Sequence, residues 1–234
     1  PFVYDLITQC FYDKSNHHDY NEINTYRKQL RSDNTILQVT DLGSGSRVMK
    51  SSSRQVGTIA KVNGSRPFLS RLLFRLVRYF KAGKILELGT SLGIGTHAML
   101  LANPNAKITS VEGCPNISRF TADKLSTGNH ENLHIINSDF DNFLENQTSD
   151  SYYLIFVDGN HLKEPTLRYF NLLLNRIHNN SIMIFDDIHW SAEMEEAWAI
   201  ICEHSRVKVS IDIFYWGLVF FREEQAKEHF NIRV

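Results

Sequence analysis

Apolar and polar positions change their spacing in a regular way along most of this chain. From residue 84 onward, short apolar runs recur, and each is followed by a stretch in which apolar positions repeat at helical spacing. The runs are typical of strands buried on both faces, and the stretches between them are typical of amphipathic helices. The pattern therefore predicts an α/β fold, with a mostly parallel Rossmann-like sheet and helices on both faces.

The predicted elements can be placed along the chain. Strands are expected at 84–88, 107–111, 133–136, 152–157 and 181–185, and 207–213 and 218–221 are expected to close the sheet with a C-terminal antiparallel strand. Helices are expected at 67–80, 94–101, 116–125, 164–176 and 192–202, with a short one after 140. This order of strand and helix defines a main domain over residues 65–234.

Residues 1–64 differ from the rest and predict an N-terminal helical cap. Two short helices within 2–11 and 22–30 and a strand at 35–39 precede a polar segment of small residues from 41 to 53. One interpretation of this loop-rich part is a solvated linker. The other is a lid over an active site that uses basic groups such as Arg47, Lys50 and Arg54 against an anionic substrate.

Composition narrows the class of protein. A chain of 234 residues with 42% hydrophobic residues suits one domain with an appendage. Its formal charge of -1 gives no reason to expect nucleic acid as a partner, and no apolar run approaches the ~20 residues of a membrane helix. Cys10, Cys114 and Cys202 are far apart and lack metal-ligand spacing, which predicts free thiols in the cytoplasm.

A glycine-rich turn follows the strand at 84–88. Glu87 lies inside this strand, Gly89 follows it, and Gly93 precedes the helix at 94–101. Strand, glycine turn and helix together are typical of a nucleotide-binding unit, because glycines let a ligand approach the backbone and the helix start presents free N–H groups. The spacing differs from the dinucleotide Gly-x-Gly-x-x-Gly pattern. Taken alone, the motif is equally typical of a tight turn without a ligand.

Five successive predicted strands have a carboxylate at or shortly after their end: Glu87, Glu112, Asp139, Asp158 and the pair Asp186–Asp187. Ligands of open α/β sheets bind beyond the carboxyl ends of the strands. An acid in the place of Glu112 accepts hydrogen bonds from ribose hydroxyls, and Asp139 with Phe140 suits an adenine ring. The alternative is that these acids only cap helices and shape turns.

Three of these acids predict a metal site. Asp158, Asp186 and Asp187 belong to neighbouring strands without an obvious basic partner, so a divalent cation such as Mg²⁺ would relieve their repulsion. His161, three residues after Asp158, suits a general base there. The alternatives are a helix cap, a turn acid and a structural histidine.

Taken as a set, these motifs resemble class I S-adenosylmethionine-dependent methyltransferases. The segments 85–93, 110–112, 137–139, 156–161 and 184–190 match in order and spacing, closest to the metal-dependent O-methyltransferases of catechol, caffeoyl-CoA and macrolide sugars. The resemblance implies the following roles: donor contacts by Glu87, Gly89, Thr90, Ser91, Gly93, Glu112, Asp139, Phe140 and Asp158; metal ligation by Asp158, Asp186 and Asp187; and base catalysis by His161 with Asp158. Asp187 departs from the asparagine of the catechol branch.

The predicted function is therefore methyl transfer from S-adenosylmethionine to a hydroxyl oxygen of a small substrate. The metal would lower the pKa of the hydroxyl group, His161 would take its proton, and the oxygen would attack the sulfonium methyl group. Alternatives are a metal-free methyltransferase, a catalytically silent nucleoside-binding fold and, less favoured by the glycine spacing, an NAD-dependent oxidoreductase. The acceptor site would be lined by the cap and by Phe214, Tyr215 and Trp216, residues that suit aromatic, sugar and lipid acceptors equally well. The same cleft would also contain His189 and Trp190. Relatives suggest a possible homodimer.

Overall fold

The computed structural model describes residues 2–40, 51–62, 66–126, 131–146 and 151–234. Within these residues the chain forms an eight-stranded sheet and a separate two-stranded sheet. The polar loop predicted at 41–47, with Arg47, and the neighbouring Lys50 lie outside the described residues. The lid interpretation can therefore be examined only through the residues around that loop.

The N-terminal part contains helices that pack on the main sheet. Its elements are α1 (Phe2–Leu6), a π-helical turn (Ile7–Phe11), α2 (Asp19–Ser32), β1 (Ile36–Gln38), β2 (Ser53–Gln55), α3 (Val56–Val62) and then α4 (Pro67–Phe80). Leu6, Phe11 and Ile23 belong to the same buried cluster as the strand residues Ile85 and Ile184. The predicted N-terminal helices are thus present, while the division of the chain at residue 64 stays a prediction.

Strands and helices alternate from residue 84 as predicted. The elements are β3 (Lys84–Leu88), α5 (Ile94–Ala102), β4 (Lys107–Glu112), α6 (Pro115–Ser126), β5 (Leu133–Asn137), α7 (Phe140–Asn146), β6 (Tyr152–Val157), α8 (Lys163–Leu173), β7 (Ile177–Asp186), α9 (Ala192–Glu203), β8 (Val209–Asp212), β9 (Trp216–Phe220) and β10 (Glu228–Asn231). The α/β prediction is confirmed. The strand β10 and the early start of β7 were not predicted.

The order of strands in the large sheet is β10-β8-β9-β7-β6-β3-β4-β5. Strands β3 to β7 run parallel, and β9 lies antiparallel between β7 and β8, which confirms the predicted C-terminal antiparallel strand. The chain runs from β3 through β4 to β5 on one side of the sheet and then returns to place β6 on the other side of β3, so the strand order reverses beside β3. A crevice forms at such a switch point, beyond the carboxyl end of β3.

Each central strand contributes side chains to both faces of the sheet. In β7, Ile182 and Ile184 join one buried cluster, while Met183 and Phe185 join the cluster on the opposite face. Successive side chains of a strand point to opposite sides, so two covered faces require an unbroken apolar run. This explains why the parallel strands appear in the sequence as continuous apolar segments.

The structure corrects the prediction for residues 51–62. Instead of a loop, this segment contains β2 and α3, and the Arg54 side chain is buried. Gly57 explains how α3 packs closely on the end of α2, because a β-carbon there would lie 2.8 Å from the Arg31 carbonyl oxygen. The Gly57 N–H also donates to the Asp33 carbonyl oxygen at 2.9 Å. The solvated-linker interpretation is therefore wrong for these residues.

The cysteines and the helices bear on the predicted location of the protein. Cys10, Cys114 and Cys202 are buried free thiols. Among the helices in the described ranges, none has both the length and the apolar character needed to cross a membrane. The cytoplasmic location stays a prediction.

Candidate active site

The glycine turn after β3 brings two strand ends into backbone contact. Gly89 has φ 107°, in the left-handed region, and a β-carbon there would lie 1.8 Å from the carbonyl oxygen of Asp158. Gly93, with φ 74°, immediately precedes α5. Only glycine avoids both the strained φ and the clash at position 89. The turn therefore places the predicted donor loop directly beside the first predicted metal ligand.

Side chains from two helices hold this turn in place. Thr121 Oγ1 on α6 donates to the Ser91 carbonyl oxygen at 2.7 Å. Tyr26 Oη on α2 donates to the Leu92 carbonyl oxygen at 2.8 Å. Neither residue was predicted for the site, because nothing in a lone threonine or tyrosine on a helix indicates which distant backbone it will reach.

An open crevice lies beside the turn. Its lining includes the predicted residues Glu87, Gly89, Thr90, Ser91 and Asp158. Two further lining residues, Ile59 and Ala60, come from α3 and were not predicted. The N-terminal part thus supplies one apolar wall of the crevice, which is the position that the lid interpretation requires.

Glu87 is almost fully buried at the base of this crevice and accepts two hydroxyl hydrogen bonds. Thr96 Oγ1 donates to its Oε2 at 2.6 Å and Ser110 Oγ to the same atom at 2.5 Å. Ser110 also lies 2.6 Å from Thr90 Oγ1. Burial raises the pKa of Glu87 to about 7, although these hydrogen bonds act to lower it. Glu87 therefore titrates near neutral pH within a fixed hydroxyl network.

Glu112 is bound by backbone N–H groups at the end of β4. Ser91 N donates to its Oε2 at 2.9 Å and Cys114 N donates to its Oε1 at 2.8 Å. The first bond ties the acid of β4 to the glycine turn after β3. Glu112 is consequently held at the edge of the crevice, and its predicted ribose contact stays a prediction.

Asp139 and Phe140 lie at the start of α7. Asp139 Oδ1 accepts from Asn142 N at 2.8 Å, so this exposed carboxylate caps the helix, which is the alternative role considered for it. The Phe140 ring packs edge-on against Tyr169 with centroids 5.6 Å apart. Contact of either residue with an adenine ring stays a prediction.

The carboxyl ends of β6 and β7 bring together two acids and a histidine. One ligand atom each from Asp158, His161 and Asp186 lies within 4.8 Å of the others. Asp187 is not part of this group; its φ is 53°, and its N–H donates to the Tyr215 carbonyl oxygen at 2.8 Å. The predicted neighbours Asp158 and Asp186 do meet, with His161 beside them, and metal ligation by Asp187 stays a prediction.

The electrostatics of this group favour an added positive charge. The pKa of Asp158 is raised to about 7, chiefly by burial; the hydrogen bond with Asp186 opposes this rise and the charge of Asp187 adds to it. The pKa of Asp186 lies well above its ordinary value because of burial and the neighbouring Asp158. Among the described residues, the basic side chain paired with Asp158 is His161, with Nε2 4.0 Å from Oδ1. Two hard oxygen donors and an imidazole fit a divalent cation.

Aromatic side chains border this group. Trp190 is 41% exposed, and its ring centroid lies 6.4 Å from that of His161. His189, expected beside it, is held between Glu195 Oε1 at 2.9 Å and Asp212 Oδ2 at 2.8 Å, and its ring stacks on Phe214. Burial acts to lower the pKa of His189, but the bonds with these acids raise it overall.

Known proteins resemble this chain in part of its sequence and in its fold. Residues 86–188 match the family model described as a methyltransferase domain. PaMTH1, a methyltransferase of Podospora anserina solved with S-adenosylhomocysteine, aligns with TM-score 0.68 and 15% identity over 95% of this chain and 96% of its own. No curated protein matches the chain in sequence.

Two further solved structures have the same fold. The O-methyltransferase TomG of Streptomyces achromogenes, in complex with S-adenosylmethionine, aligns with TM-score 0.63 and 14% identity over 94% of this chain and 96% of its own. The O-methyltransferase of Bacillus cereus, in complex with S-adenosylhomocysteine, aligns with TM-score 0.61 and 14% identity over 93% of this chain and 96% of its own. At these identities the likeness establishes the fold.

Proposed function

On the premise that residues 86–188 are a methyltransferase domain within a class I methyltransferase fold, we propose that this protein methylates a hydroxyl oxygen of a small acceptor. S-adenosylmethionine is the proposed donor, and a divalent cation, Mg²⁺ first, is the proposed activator. The observation that carries the proposal is the position of Asp158, which lines the crevice and also belongs to the acid–histidine group.

The crevice is the proposed donor site. When bound there, S-adenosylmethionine supplies the methyl group as a sulfonium. Glu87, Thr90 and Ser91 would face its amino-acid and ribose ends, since they line the crevice. Gly89 and Gly93 would let the backbone approach, while Glu112 would accept from ribose hydroxyls and Asp139 and Phe140 would meet the adenine ring. The bound ligands named for PaMTH1 and TomG support this choice of donor.

Asp158 and Asp186 are the proposed cation ligands, and Asp187 adds a third negative charge beside them. When bound, a divalent cation would lower the pKa of an acceptor hydroxyl held in the cleft. The raised pKa values of Asp158 and Asp186 support this assignment, because two neighbouring, partly buried acids favour a proton or a cation between them.

His161 is the proposed general base, with Nε2 as the accepting atom. Its side chain is one-fifth exposed beside Asp158, so the ring is open to an acceptor in the cleft. A second role for His161 is favoured by the same geometry, since its ring nitrogen falls within the 4.8 Å group and could serve as a third cation ligand. The two roles differ in what removal of the ring does to cation affinity.

The decisive experiment measures methyl transfer to a panel of hydroxylated acceptors with S-adenosylmethionine, with Mg²⁺ or with chelator. Asp158→Ala and His161→Ala are expected to lower kcat by about a thousandfold or more, by removing the cation site and the base. S-adenosylhomocysteine binding, followed by calorimetry, is expected to persist in both variants. Asp123→Ala, an exposed acid on α6, serves as the control and should behave like the wild type.

The other outcomes separate the alternatives. Full activity of Asp158→Ala, or activity unchanged by chelator, would point to a metal-free methyltransferase. Donor binding without transfer to any acceptor would favour a silent nucleoside-binding fold, and binding of NAD in place of S-adenosylmethionine would favour an oxidoreductase. If His161→Ala loses cation affinity together with turnover, the histidine is a ligand. Homodimer formation, and the expectation of no nucleic-acid or membrane partner, stay predictions.

A further inference from the structure

The loop that carries His161 has an unusual backbone. Asn160 has φ 55°, in the left-handed region that costs free energy for residues with a side chain. The Leu162 N–H donates to the Asn160 carbonyl oxygen at 2.6 Å, which closes a three-residue turn with His161 at its centre. Asparagine adopts the left-handed conformation more readily than most residues with a side chain. The contacts of the Asn160 amide then fix where the adjacent His161 lies.

A chain of side-chain hydrogen bonds fixes Asn160 to two helices. Asn160 Nδ2 donates to Tyr169 Oη on α8 at 2.8 Å, and Tyr169 Oη donates to Asp141 Oδ2 on α7 at 3.5 Å. Arg168 holds Asp141 with two bonds, from Nε at 2.5 Å and from Nη2 at 2.7 Å. Because the Tyr169 side chain is buried, loss of a hydrogen-bond partner would leave its hydroxyl group unsatisfied, at a cost in free energy.

The other side of the same loop rests on Phe140. A β-carbon at Gly159 would lie 3.1 Å from Phe140 Cε2, and the Phe140 ring is also packed against Tyr169. Phe140 and Asp141 are the first two residues of α7, next to the cap residue Asp139. The loop from Asp158 to Leu162 is thus bracketed by two helices, α7 through Phe140 and α8 through Tyr169.

We propose that Asn160 is a positioning residue for His161, and that its hydrogen bond to Tyr169 sets the distance of the imidazole from Asp158 and Asp186. The inference rests on the proposed function, in which His161 acts on the acceptor. Phe140 contacts Gly159 and Asp141 accepts from Tyr169, so the start of α7 supports the same loop. Loss of the bracket should misplace the base without emptying the donor crevice.

The test compares Asn160→Gly, Tyr169→Phe and the double variant. Asn160→Gly keeps the left-handed backbone free of strain but removes the amide, and Tyr169→Phe removes only the hydroxyl group. Each single change is expected to lower kcat by about tenfold to a hundredfold, as misplacement of a catalytic group does, with the KM for S-adenosylmethionine within about twofold of the wild type. Since both changes remove the same hydrogen bond, the double variant should lose no more than the worse single one.

The matched control is Tyr153→Phe, a half-exposed tyrosine on β6 whose ring lies against His178. It makes the same chemical change away from the loop and should keep the wild-type kcat. A second readout needs no turnover: amide hydrogen exchange of residues 158–162 should accelerate in Asn160→Gly and Tyr169→Phe but not in the control.

The outcomes distinguish this inference from the proposed function. An active wild-type enzyme with unchanged kcat and unchanged loop exchange in both variants would overturn the role of Asn160 alone. Losses that multiply in the double variant would also overturn it, because they would be independent of the shared bond. A wild-type protein that transfers no methyl group would reject the proposed function, and the exchange of the loop would still decide whether the bracket holds it.

Discussion

The crevice and the acid–histidine group each contain an acid with a pKa of about 7, buried Glu87 in the first and partly buried Asp158 in the second. Burial raises the pKa of Glu87, the charge of Glu112 adds to the rise, and hydrogen bonds from the Ser110 and Thr96 hydroxyl groups oppose it. Burial also raises the pKa of Asp158, the charges of nearby acids add to the rise, and the hydrogen bond with Asp186 opposes it. Glu87 is therefore held by hydroxyl donors, whereas Asp158 lies among other acids.

The largest effect is expected from a substitution that disrupts the contact between the glycine turn and Asp158. Gly89→Ala would force a β-carbon to within 1.8 Å of the Asp158 carbonyl oxygen at an unfavourable φ. We expect loss of S-adenosylhomocysteine binding by calorimetry and a free energy of unfolding lower by more than about 3 kcal/mol.

Gly83→Ala is the matched control for this change. No atom lies within 4 Å of the added β-carbon there, and the backbone has no positive φ, so folding and binding should remain near the wild type. Equal behaviour of the two variants would show that the contact between the strand ends carries no strain.

The second prediction concerns pH and separates the two acids. The pKa of Asp158 in the folded state, about 7, lies above its ordinary value of 3.8, so the folded state binds the proton more tightly than the unfolded state does. The stability that this proton provides is present below about pH 4 and is lost as the pH rises through about 7. A cation replaces the proton, so the Tm gain from Mg²⁺ or Mn²⁺ should be small near pH 5 and larger near pH 8.

Asp186→Asn tests whether that gain arises at the acid–histidine group. It keeps the size of the side chain and removes one charge, and the cation-dependent shift in Tm should disappear at every pH. Glu87→Gln should leave the shift in place, because Glu87 is bonded to Thr96 and Ser110 instead of to an acid. A shift that survives Asp186→Asn would refute the cation site.

The smallest expected effect belongs to the donor crevice. Tyr26→Phe removes the hydrogen bond to the Leu92 carbonyl oxygen but keeps the ring, whose centroid lies 4.7 Å from that of His97. A neutral bond of this kind contributes about 1 kcal/mol, so the Kd for S-adenosylhomocysteine should rise about fivefold. Tyr4→Phe on α1, a largely exposed tyrosine, should leave the Kd unchanged; an equal rise there would contradict the role of Tyr26.

The sheet could be predicted because burial on two faces leaves a continuous apolar signal. The strands at 84–88 and 152–157 were predicted with the bounds that the structure has, and the other parallel strands differ only at their ends. The strand β10 escaped because Glu228–Asn231 is a mostly polar edge segment that pairs only with β8. An edge strand with little burial leaves no periodic pattern to detect.

The helix α3 escaped for a related reason. Val56–Val62 contains a glycine and several β-branched residues, which are weak helix formers. Its stability comes from packing against α2 and from small side chains at the contact, and neither is visible in local sequence. Tertiary packing that overrides propensity also explains why the wall at Ile59 and Ala60 was missed.

The sequence predicted which strand ends form the candidate site, but it did not predict where their side chains lie. Topology alone brings Asp158 near Asp186, because β6 and β7 are neighbours and parallel. Where the side chains of His161 and Asp187 lie depends also on the left-handed conformations of Asn160 and Asp187. Positive φ at a residue other than glycine leaves no reliable mark in a single sequence.

The backbone contact between Gly89 and Asp158 also constrains how descendants of this sequence can change. A larger residue at position 89 requires the neighbouring strand end to retreat, and that retreat displaces the carboxylate that follows. Because the oxygen in contact belongs to the backbone, no substitution at position 158 relieves the clash. Position 89 is therefore expected to stay glycine in descendants of this sequence, whatever residue follows at 158.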